Sequence, residues 1–316
     1  MMIPSTTLAM RAQKLKTSSV VHFVGVGAMG GPMAQRLLAG GHTVRVFDSN
    51  PQRVKVFAAQ HGKHTALSLE QLGLGADYVV MILPNSGVVQ DVLFGESGSV
   101  SRLKKNAMII DMTSGQPNMT LSMGQRLEAL NISFIDAPVS GAVPRAQSGT
   151  LTIMTGGEAA SVDRAEPLLS LMGTVTRTGA LGSGHAMKAL NNLVSCAGYL
   201  IGIEALIIGS KFGLDPTVMV DVMNSSTGMN NSTQKKFKQY VLSRKFDSGF
   251  PLHMMVKDIA IAMGLARNLG VSAPFGNLCL DLWSGAKGVL GPNVDHTEVA
   301  RLSEQLAGWQ IPESES

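Results

Sequence analysis

The feature that most constrains the fold is a glycine-rich turn near the start of the chain, Gly25-Val-Gly-Ala-Met-Gly30. The run before it, Val20–Val24, is β-branched and aromatic and predicts a buried strand. The segment after it, residues 30–40, has the apolar spacing of a helix. A G-x-G-x-x-G pattern is weak evidence by itself, but between a strand and a helix it is typical of a dinucleotide-binding turn.

Each glycine of this turn has a separate structural role. Gly25 allows the tight bend, Gly27 lets the backbone approach a pyrophosphate, and Gly30 permits close packing of helix on strand. The helix N-terminus then presents free N–H groups and a partial positive charge to phosphates. We therefore predict that a nicotinamide dinucleotide binds at Gly25, Gly27, Ala28, Met29 and Gly30.

An acidic residue follows where the ribose of NAD would be bound. Asp48 ends the second predicted strand about 20 residues after the turn, and Ser49 follows it. The alternative is an aspartate that only caps a helix or completes a turn. A carboxylate here would repel a 2′-phosphate, and the nearest arginine is Arg53, so the sequence favours NAD and leaves NADP possible.

Strands and helices alternate through the first half. Besides Val20–Val24, strands are predicted at residues 42–48, 78–83, 108–112, 132–136 and 150–155. Helices are predicted at 30–40, Pro51–His61, 88–94 and 118–130, with Asn50 as an N-cap. This alternation predicts an α/β fold with a doubly wound parallel sheet.

The chain of 316 residues is long for one core, so two domains are expected. Residues 20–181 form the predicted dinucleotide-binding domain. Residues 182–316 form a predicted all-helical domain, joined by a long interdomain helix that starts at about His185. Residues 1–19 lack the apolar core of a secretory signal and are expected to be a short flexible extension.

Several loops follow predicted strands at the edge where such sheets bind ligands. Leu83 and Pro84 end one strand, and Thr113 and Ser114 end another; ordinary turn chemistry is the alternative at both. A third segment, Asp136-Ala-Pro-Val-Ser-Gly141, ends in a turn of small residues. Such a turn offers a hydroxyl and consecutive backbone N–H groups, which suit a carboxylate.

A lysine lies in an unusually apolar stretch, Gly182-Ser-Gly-His-Ala-Met-Lys188, with Asn192 four residues later on the same helix face. The simple explanation of Lys188 is a stem packed along the helix with its ammonium in water. The alternative is a partly buried general acid–base with a lowered pKa. The amide at the next turn and the preceding cofactor domain favour the catalytic role.

Four motifs together resemble the β-hydroxyacid dehydrogenase family, which includes 3-hydroxyisobutyrate dehydrogenase and tartronate semialdehyde reductase. They are Gly25-Val-Gly-Ala-Met-Gly-Gly-Pro-Met33, Asp136-Ala-Pro-Val-Ser-Gly141, Gly182 to Asn192, and Lys257-Asp258. The resemblance covers residues 21 to about 306. It implies a Rossmann-type domain followed by a helical domain of the 6-phosphogluconate dehydrogenase type.

The resemblance also implies roles. Lys188 would be the catalytic acid–base, with Asn192 as its partner. The substrate residues would be Ser140, Gly141, Ala142 and Asn191. Leu83, Pro84, Ser114 and Lys257 would join the cofactor site, as would Thr113. The family usually has a second glycine where Ala142 stands, which puts the exact substrate in doubt.

Other functions remain as alternatives. An imine reductase shares the fold but usually lacks the catalytic lysine, and a non-catalytic dinucleotide-binding protein would also lack it. The net charge of +4 is scattered, which favours a small carboxylate-bearing substrate over nucleic acid. The apolar stretch 193–209 is slightly short for a membrane span.

We further expect no metal site, two buried thiols at Cys196 and Cys279, and a cytoplasmic location. The resemblance implies that residues 182–316 bind substrate and mediate assembly into a homodimer or homotetramer. His22 is expected to be a core histidine. Arg145 and Asn230-Asn231 are weaker candidates near the substrate, and His185 is a weaker candidate for tuning Lys188.

Overall fold

The computed structural model describes residues 18–313, and the chain divides into two compact units. The first comprises residues up to Thr113 together with Ser122–Thr176, and the second comprises Ser114–Leu121 and residues from Arg177 onward. Ser114–Leu121 therefore groups with the helical half, although it lies within the predicted dinucleotide-binding domain. Of the predicted extension at residues 1–19, the first 17 residues lie outside the described part of the chain.

The sheet of the first unit is parallel over most of its width. Its strands are β1 (Val20–Val24), β2 (Thr43–Phe47), β3 (Tyr78–Met81), β4 (Met108–Asp111), β5 (Ser133–Asp136), β6 (Val139–Ser140), β7 (Leu151–Gly156) and β8 (Gly173–Gly179). The order is β2-β1-β3-β4-β5-β7-β6, with β8 also paired to β7. The predicted parallel sheet is confirmed from β2 to β5.

The far edge of the sheet differs from the prediction, because β7 runs antiparallel to both β5 and β6. The strand β6 is only two residues long, which is too short for a periodic signal. The strand β8 is polar and largely exposed, so it also lacks the apolar run that predicted the others.

Among the described residues, six helices flank these strands, and the sequence predicted the first four of them but not the last two. They are α1 (Gly30–Ala39), α2 (Pro51–His61), α3 (Ser86–Phe94), α4 (Pro117–Glu128), α5 (Ala142–Ser148) and α6 (Ala159–Leu169). The predicted cap of α2 is confirmed, because the Asn50 side chain accepts a hydrogen bond from the backbone N–H of Gln52. The core between the layers is built of fully buried residues such as Phe23, Met33 and Ile110.

The described part of the second unit is helical, as predicted. It contains α7 (Ser183–Phe212), α8 (Pro216–Ser225), α9 (Asn231–Lys235), a π-helical turn (Phe237–Leu242), α10 (Leu252–Asn268), α11 (Pro274–Leu290) and α12 (Val299–Ala307). A separate core surrounds Tyr199, Phe237 and Trp283, which are fully buried.

The helix α7 has 30 residues and, by length and composition alone, is long and apolar enough to cross a membrane. Within its most apolar 18-residue window, 44% of the residues are buried inside the fold. Buried core helices of globular proteins can be equally long and apolar, so this helix is weak evidence for a membrane span.

Candidate functional site

The glycine-rich turn connects β1 to α1 with a very close backbone approach. Gly25 has φ +92° and donates a hydrogen bond to the carbonyl of Phe47 at 2.8 Å. A Cβ on Gly25 would overlap the carbonyl oxygen of Ile82, and one on Gly30 would overlap that of Gly25. Both glycines are therefore required by this fold, independently of any ligand.

Gly27 differs from the other two glycines. A Cβ there would meet only the Arg53 guanidinium, at 3.7 Å, so the space above its backbone is open. Met29 is the N-cap of α1, and its side chain makes no capping hydrogen bond to the N-terminus of the helix. The open backbone and the uncapped helix end fit a bound pyrophosphate.

Asp48 is buried beside the turn and is held by several donors. One oxygen accepts from the Val26 N–H at 2.9 Å, and the other accepts from the Asn50 N–H at 2.8 Å. The Arg53 guanidinium lies 3.5 Å from both oxygens. The sequence did not predict this ion pair, which places a half-exposed positive charge beside the acidic residue. Ser49 is exposed next to it.

A hydrogen bond joins the loops after β3 and β4. The backbone N–H of Leu83 donates to Thr113 Oγ1 at 3.0 Å, and the Thr113 N–H donates to Asp111 at 3.0 Å. Thr113 is fully buried, so it fixes the position of Leu83, whereas Pro84 is exposed at the end of the same loop.

The predicted carboxylate turn has a strained backbone. Gly141 has φ +139°, and Ala142 has φ +56°, a left-handed conformation that favours glycine. A Cβ on Gly141 would lie 2.6 Å from Arg145 Cδ, so the Arg145 side chain folds over this glycine. Ser140 is partly exposed at the end of β6. Arg145 thus lies at this turn.

In the second unit, Lys188 is 9% exposed on α7. Burial lowers its pKa from the ordinary value for lysine. The carboxylate of Asp258 opposes this by raising the pKa, and the nearby charge of Lys257 lowers it further. The buried position favours the catalytic interpretation over a stem that extends its charge into water.

Asn192 is positioned by Asp258. Its Nδ2 donates to the Asp258 carboxylate at 2.6 Å, and Asp258 is only 2% exposed. Asn191 Nδ2 donates to Asn192 Oδ1 at 3.2 Å, so the two amides are linked. The sequence suggested no separate role for Asp258; its only signal was its place in the Lys257-Asp258 pair.

Two further contacts lie in the same unit. Lys257 Nζ donates to the carbonyl of Ser114 at 2.9 Å, which brings two predicted cofactor residues together. His185 Nδ1 lies 2.7 Å from the Thr120 hydroxyl, in a buried contact. His185, which lies one turn before Lys188 on α7, is therefore held by a hydrogen bond with Thr120.

Some weaker candidates have structural roles. The side chain of Asn230 caps α9 by accepting from the Ser232 and Thr233 N–H groups. His22 is the expected core histidine, fully buried, with Nδ1 accepting from the Gly73 N–H. Cys196 and Cys279 are buried and free, as predicted. Within residues 18–313, no cluster of three or more His, Cys, Asp or Glu side chains is suited to a metal ion.

Two family models match the chain in succession. The model described as the NAD binding domain of 6-phosphogluconate dehydrogenase matches residues 20–182. The model described as NAD-binding of NADP-dependent 3-hydroxyisobutyrate dehydrogenase matches residues 182–303. Together they cover both units.

Proteins with similar sequences include dehydrogenases and reductases. The chain is 32% identical to 2-(hydroxymethyl)glutarate dehydrogenase of Eubacterium barkeri, over 94% of this chain and 99% of that protein. It is 35% identical to 3-hydroxyisobutyrate dehydrogenase of Pseudomonas aeruginosa, over 84% of this chain and 91% of that protein. Among solved structures, 3-hydroxyisobutyrate dehydrogenase of Mycobacterium tuberculosis with L-serine matches with a TM-score of 0.83. That match has 28% identity and covers 91% of this chain and 99% of the other.

Proposed function

The chain belongs to the β-hydroxyacid dehydrogenase family of nicotinamide-dependent oxidoreductases, and on this premise we propose that Lys188 is its catalytic acid–base. The proposed reaction is reversible hydride transfer between NAD(P) and a small β-hydroxy acid or its semialdehyde. The observation that carries the proposal is the burial of Lys188 beside Asp258, next to an asparagine that Asp258 holds.

The chemistry of hydride transfer belongs to the nicotinamide ring, which accepts or donates the hydride when it is bound. The protein supplies the proton. In the reduction, the Lys188 ammonium donates a proton to the carbonyl oxygen of the substrate as negative charge develops there. In the oxidation, the neutral amine of Lys188 takes the hydroxyl proton. Because burial lowers the pKa of Lys188, more of the neutral amine is available at a given pH than for an ordinary lysine.

Asn192 is proposed to orient the substrate, with Asn191 beside it. Its amide is fixed by Asp258, so its remaining hydrogen-bonding atoms have defined directions. A group held in one orientation contributes more to catalysis than a mobile one.

The substrate carboxylate is proposed to bind at Ser140, Gly141 and Ala142. The backbone of this turn has a left-handed conformation at Ala142. The Arg145 side chain lies over Gly141 and adds a positive charge beside the turn. A hydroxyl, backbone N–H groups and a guanidinium together suit a carboxylate.

The names of the relatives support a β-hydroxy acid as the substrate. They act on 3-hydroxyisobutyrate and 2-(hydroxymethyl)glutarate, and L-serine accompanies one solved structure. All three compounds carry a primary hydroxyl group two carbons from a carboxylate. We propose that this chain acts on a member of the same chemical class.

The cofactor is proposed to bind at the Gly25–Gly30 turn and Asp48, with Ser49, Leu83, Pro84, Thr113, Ser114 and Lys257. Asp48 favours NAD, because a carboxylate repels a 2′-phosphate. Arg53 weakens this preference, because its guanidinium lies 3.5 Å from the carboxylate. We therefore propose NAD as the preferred cofactor and NADP as a usable one.

The domains are proposed to have the roles expected from the sequence, with residues 20–181 binding the dinucleotide and residues 182–316 binding substrate and mediating oligomerisation. On α7, Met187, Val194, Ile201 and Ile208 repeat every seven residues and are 43–72% exposed. Such an apolar stripe suits a second copy of the chain. Light scattering tests this proposal, and a monomeric mass would contradict it.

A cytoplasmic location is proposed because Cys196 and Cys279 are free and buried, as is usual in reducing compartments. Cell fractionation tests the location, and recovery outside the cytoplasmic fraction would contradict it.

The proposed reaction is tested by assaying a panel of small hydroxy acids and semialdehydes with NAD(H) and NADP(H). We expect β-hydroxy acids to be oxidised and to outperform α-hydroxy acids and cyclic imines. Turnover of imines without turnover of hydroxy acids would contradict the proposal. Nucleotide binding without any turnover would instead favour a non-catalytic role.

A further inference from the structure

A short segment, Ser114–Leu121, groups with the helical unit, although the residues before and after it group with the first unit. The segment contains Ser114, a proposed cofactor residue, and the first turn of α4, which begins at Pro117. The contacts that hold this segment in the helical unit therefore also fix the position of a proposed cofactor residue.

One end of the segment is held by α10. Lys257 Nζ donates a hydrogen bond to the carbonyl oxygen of Ser114 at 2.9 Å. The pKa of Lys188 is lowered mainly by burial, and the charge of Lys257 lowers it further against the opposing effect of Asp258. The ammonium that holds Ser114 is therefore close enough to Lys188 to influence it.

The other end of the segment is held by α7. Thr120 Oγ1 lies 2.7 Å from His185 Nδ1, and the two side chains are 0% and 1% exposed. The Thr120 hydroxyl also donates to the carbonyl oxygen of Gln116 at 3.1 Å. A hydroxyl has only one proton, so both contacts are satisfied when His185 Nδ1 carries a proton and donates to Thr120 Oγ1.

The start of α7 packs against the same segment. Gly182, the N-cap of α7, has φ +87°, and a Cβ there would lie 3.4 Å from the Pro117 carbonyl oxygen and 3.7 Å from Leu121 Cγ. His185 follows in the first turn of the helix, and Lys188 lies three residues later, at a spacing that makes helical side chains neighbours. The segment is thus bound to α7 one turn before the proposed catalytic lysine.

We propose that Thr120 and His185 are positioning residues that hold Ser114 in a fixed place relative to Lys188. This inference rests on the proposed function, in which Ser114 contacts the cofactor and Lys188 transfers the proton. Both groups then contribute to one chemical step, and a displacement of about 1 Å between such groups can slow a reaction about a hundredfold. The hydrogen bond between Thr120 and His185 prevents that displacement.

The test uses Thr120→Val, which keeps the shape of the side chain and removes its hydroxyl. The buried N–H of His185 then lacks its acceptor, which is unfavourable, so the segment or the ring shifts to regain a partner. The substrate is the hydroxy acid that the wild-type chain oxidises fastest in the panel described above. In a single turnover with NAD, followed by stopped-flow absorbance, we expect the rate of hydride transfer to fall about tenfold.

Binding of the dinucleotide should change much less than the rate. The Gly25–Gly30 turn and Asp48 are unaltered in Thr120→Val, so NADH affinity in a fluorescence titration should stay within about threefold of wild type. The single-turnover rate is a property of each active molecule, whereas its amplitude reports the fraction of active molecules. A loss of folded protein would therefore lower the amplitude without changing the rate.

Further variants test whether the hydrogen bond itself is responsible. Thr120→Ser keeps the hydroxyl and should restore the rate to within about twofold of wild type. His185→Leu removes the donor, should slow the reaction as Thr120→Val does, and provides the same comparison if Thr120→Val does not fold. Combining Thr120→Val with His185→Leu should cause no further loss, because both substitutions remove the same bond.

A matched control lies near the same end of α7. The Thr178 hydroxyl lies 2.8 Å from the Ser183 hydroxyl, so Thr178→Val removes a different hydroxyl contact near the start of the helix. Its single-turnover rate should remain within about twofold of wild type.

The possible outcomes separate this inference from the proposed function. A rate within about twofold of wild type in Thr120→Val would overturn the positioning role and leave the proposed function in place. A loss that Thr120→Ser does not restore, or a lower amplitude at an unchanged rate, would assign Thr120 only a packing role and also overturn the inference. Absence of wild-type turnover with every hydroxy acid would overturn the proposed function and this inference together.

Discussion

The substitution Asp258→Asn tests the electrostatic role of a buried carboxylate, which also lies 3.4 Å from Lys257 Nζ. The asparagine has nearly the same shape, and its amide oxygen can still accept the hydrogen bond from Asn192 Nδ2, which now measures 2.6 Å. What the substitution removes is the negative charge that raises the pKa of Lys188 against the effect of burial. The pKa of Lys188 should therefore fall further below its ordinary value.

The size of this fall follows from simple electrostatics. As a general magnitude, two unit charges separated by roughly 6–12 Å interact by about 1–3 kcal/mol at an effective dielectric constant of about 20. One pKa unit corresponds to about 1.4 kcal/mol, so the pKa of Lys188 should fall by about one to two units. Because the reduction needs the ammonium form, its rate falls as pH rises through this pKa. In Asp258→Asn the decline should begin at a pH about one to two units lower.

The assay is the pH dependence of kcat/KM for reduction of a semialdehyde by saturating NADH. Asp281→Asn, an exposed substitution on α11, is the matched control and should leave the profile in place. An unchanged profile in Asp258→Asn would refute the electrostatic coupling to Lys188. A uniform loss of rate at every pH would assign Asp258 only a positioning role through Asn192.

Three other substitutions test separate features. Arg53→Ala exposes the full charge of Asp48, so kcat/KM for NADPH should fall at least about tenfold more than that for NADH; equal losses would contradict this. Ala142→Gly removes the backbone strain of an alanine in the left-handed conformation, so it should not lower the free energy of unfolding. A decrease of about 1 kcal/mol or more in that free energy would contradict the presence of strain at Ala142. Burial lowers the pKa of His22 to about 4, with help from the charge of Arg45, so stability should decline as pH falls from about 6.5 to 4. The His22→Asn side chain can still accept a hydrogen bond from the Gly73 N–H. In chemical denaturation, its free energy of unfolding should depend less on pH over this range, and an unchanged pH dependence would contradict this prediction.

The regular part of the fold could be predicted from local sequence. The β1 strand, the glycine turn and α1 lie within a few residues of their predicted positions, because strong apolar periodicity and turn glycines act locally. The β7 strand was predicted at residues 150–155, but its antiparallel direction and the exposed β8 could not be predicted in the same way. Their pairing depends on contacts between distant segments, and β8 has no apolar periodicity to reveal it.

The candidate site could also be predicted only in part from local sequence. Lys188 and Asn192 could be selected because a charged residue and an amide recur at helical spacing in an apolar helix. Asp258 lies 66 residues after Asn192, and their hydrogen bond is visible only in three dimensions. The ion pair of Arg53 with Asp48 is a similar case, because the sequence shows the spacing but not the direction of the guanidinium.

The central claim is that Lys188 transfers the proton that accompanies hydride transfer. The most direct measurement is kcat of Lys188→Met in both directions, with NADH affinity determined in parallel by fluorescence titration. Positioned proton transfer contributes about 10²–10⁴-fold, so kcat should fall at least about a hundredfold while NADH affinity stays within about threefold. Near-normal turnover by Lys188→Met would contradict the assignment.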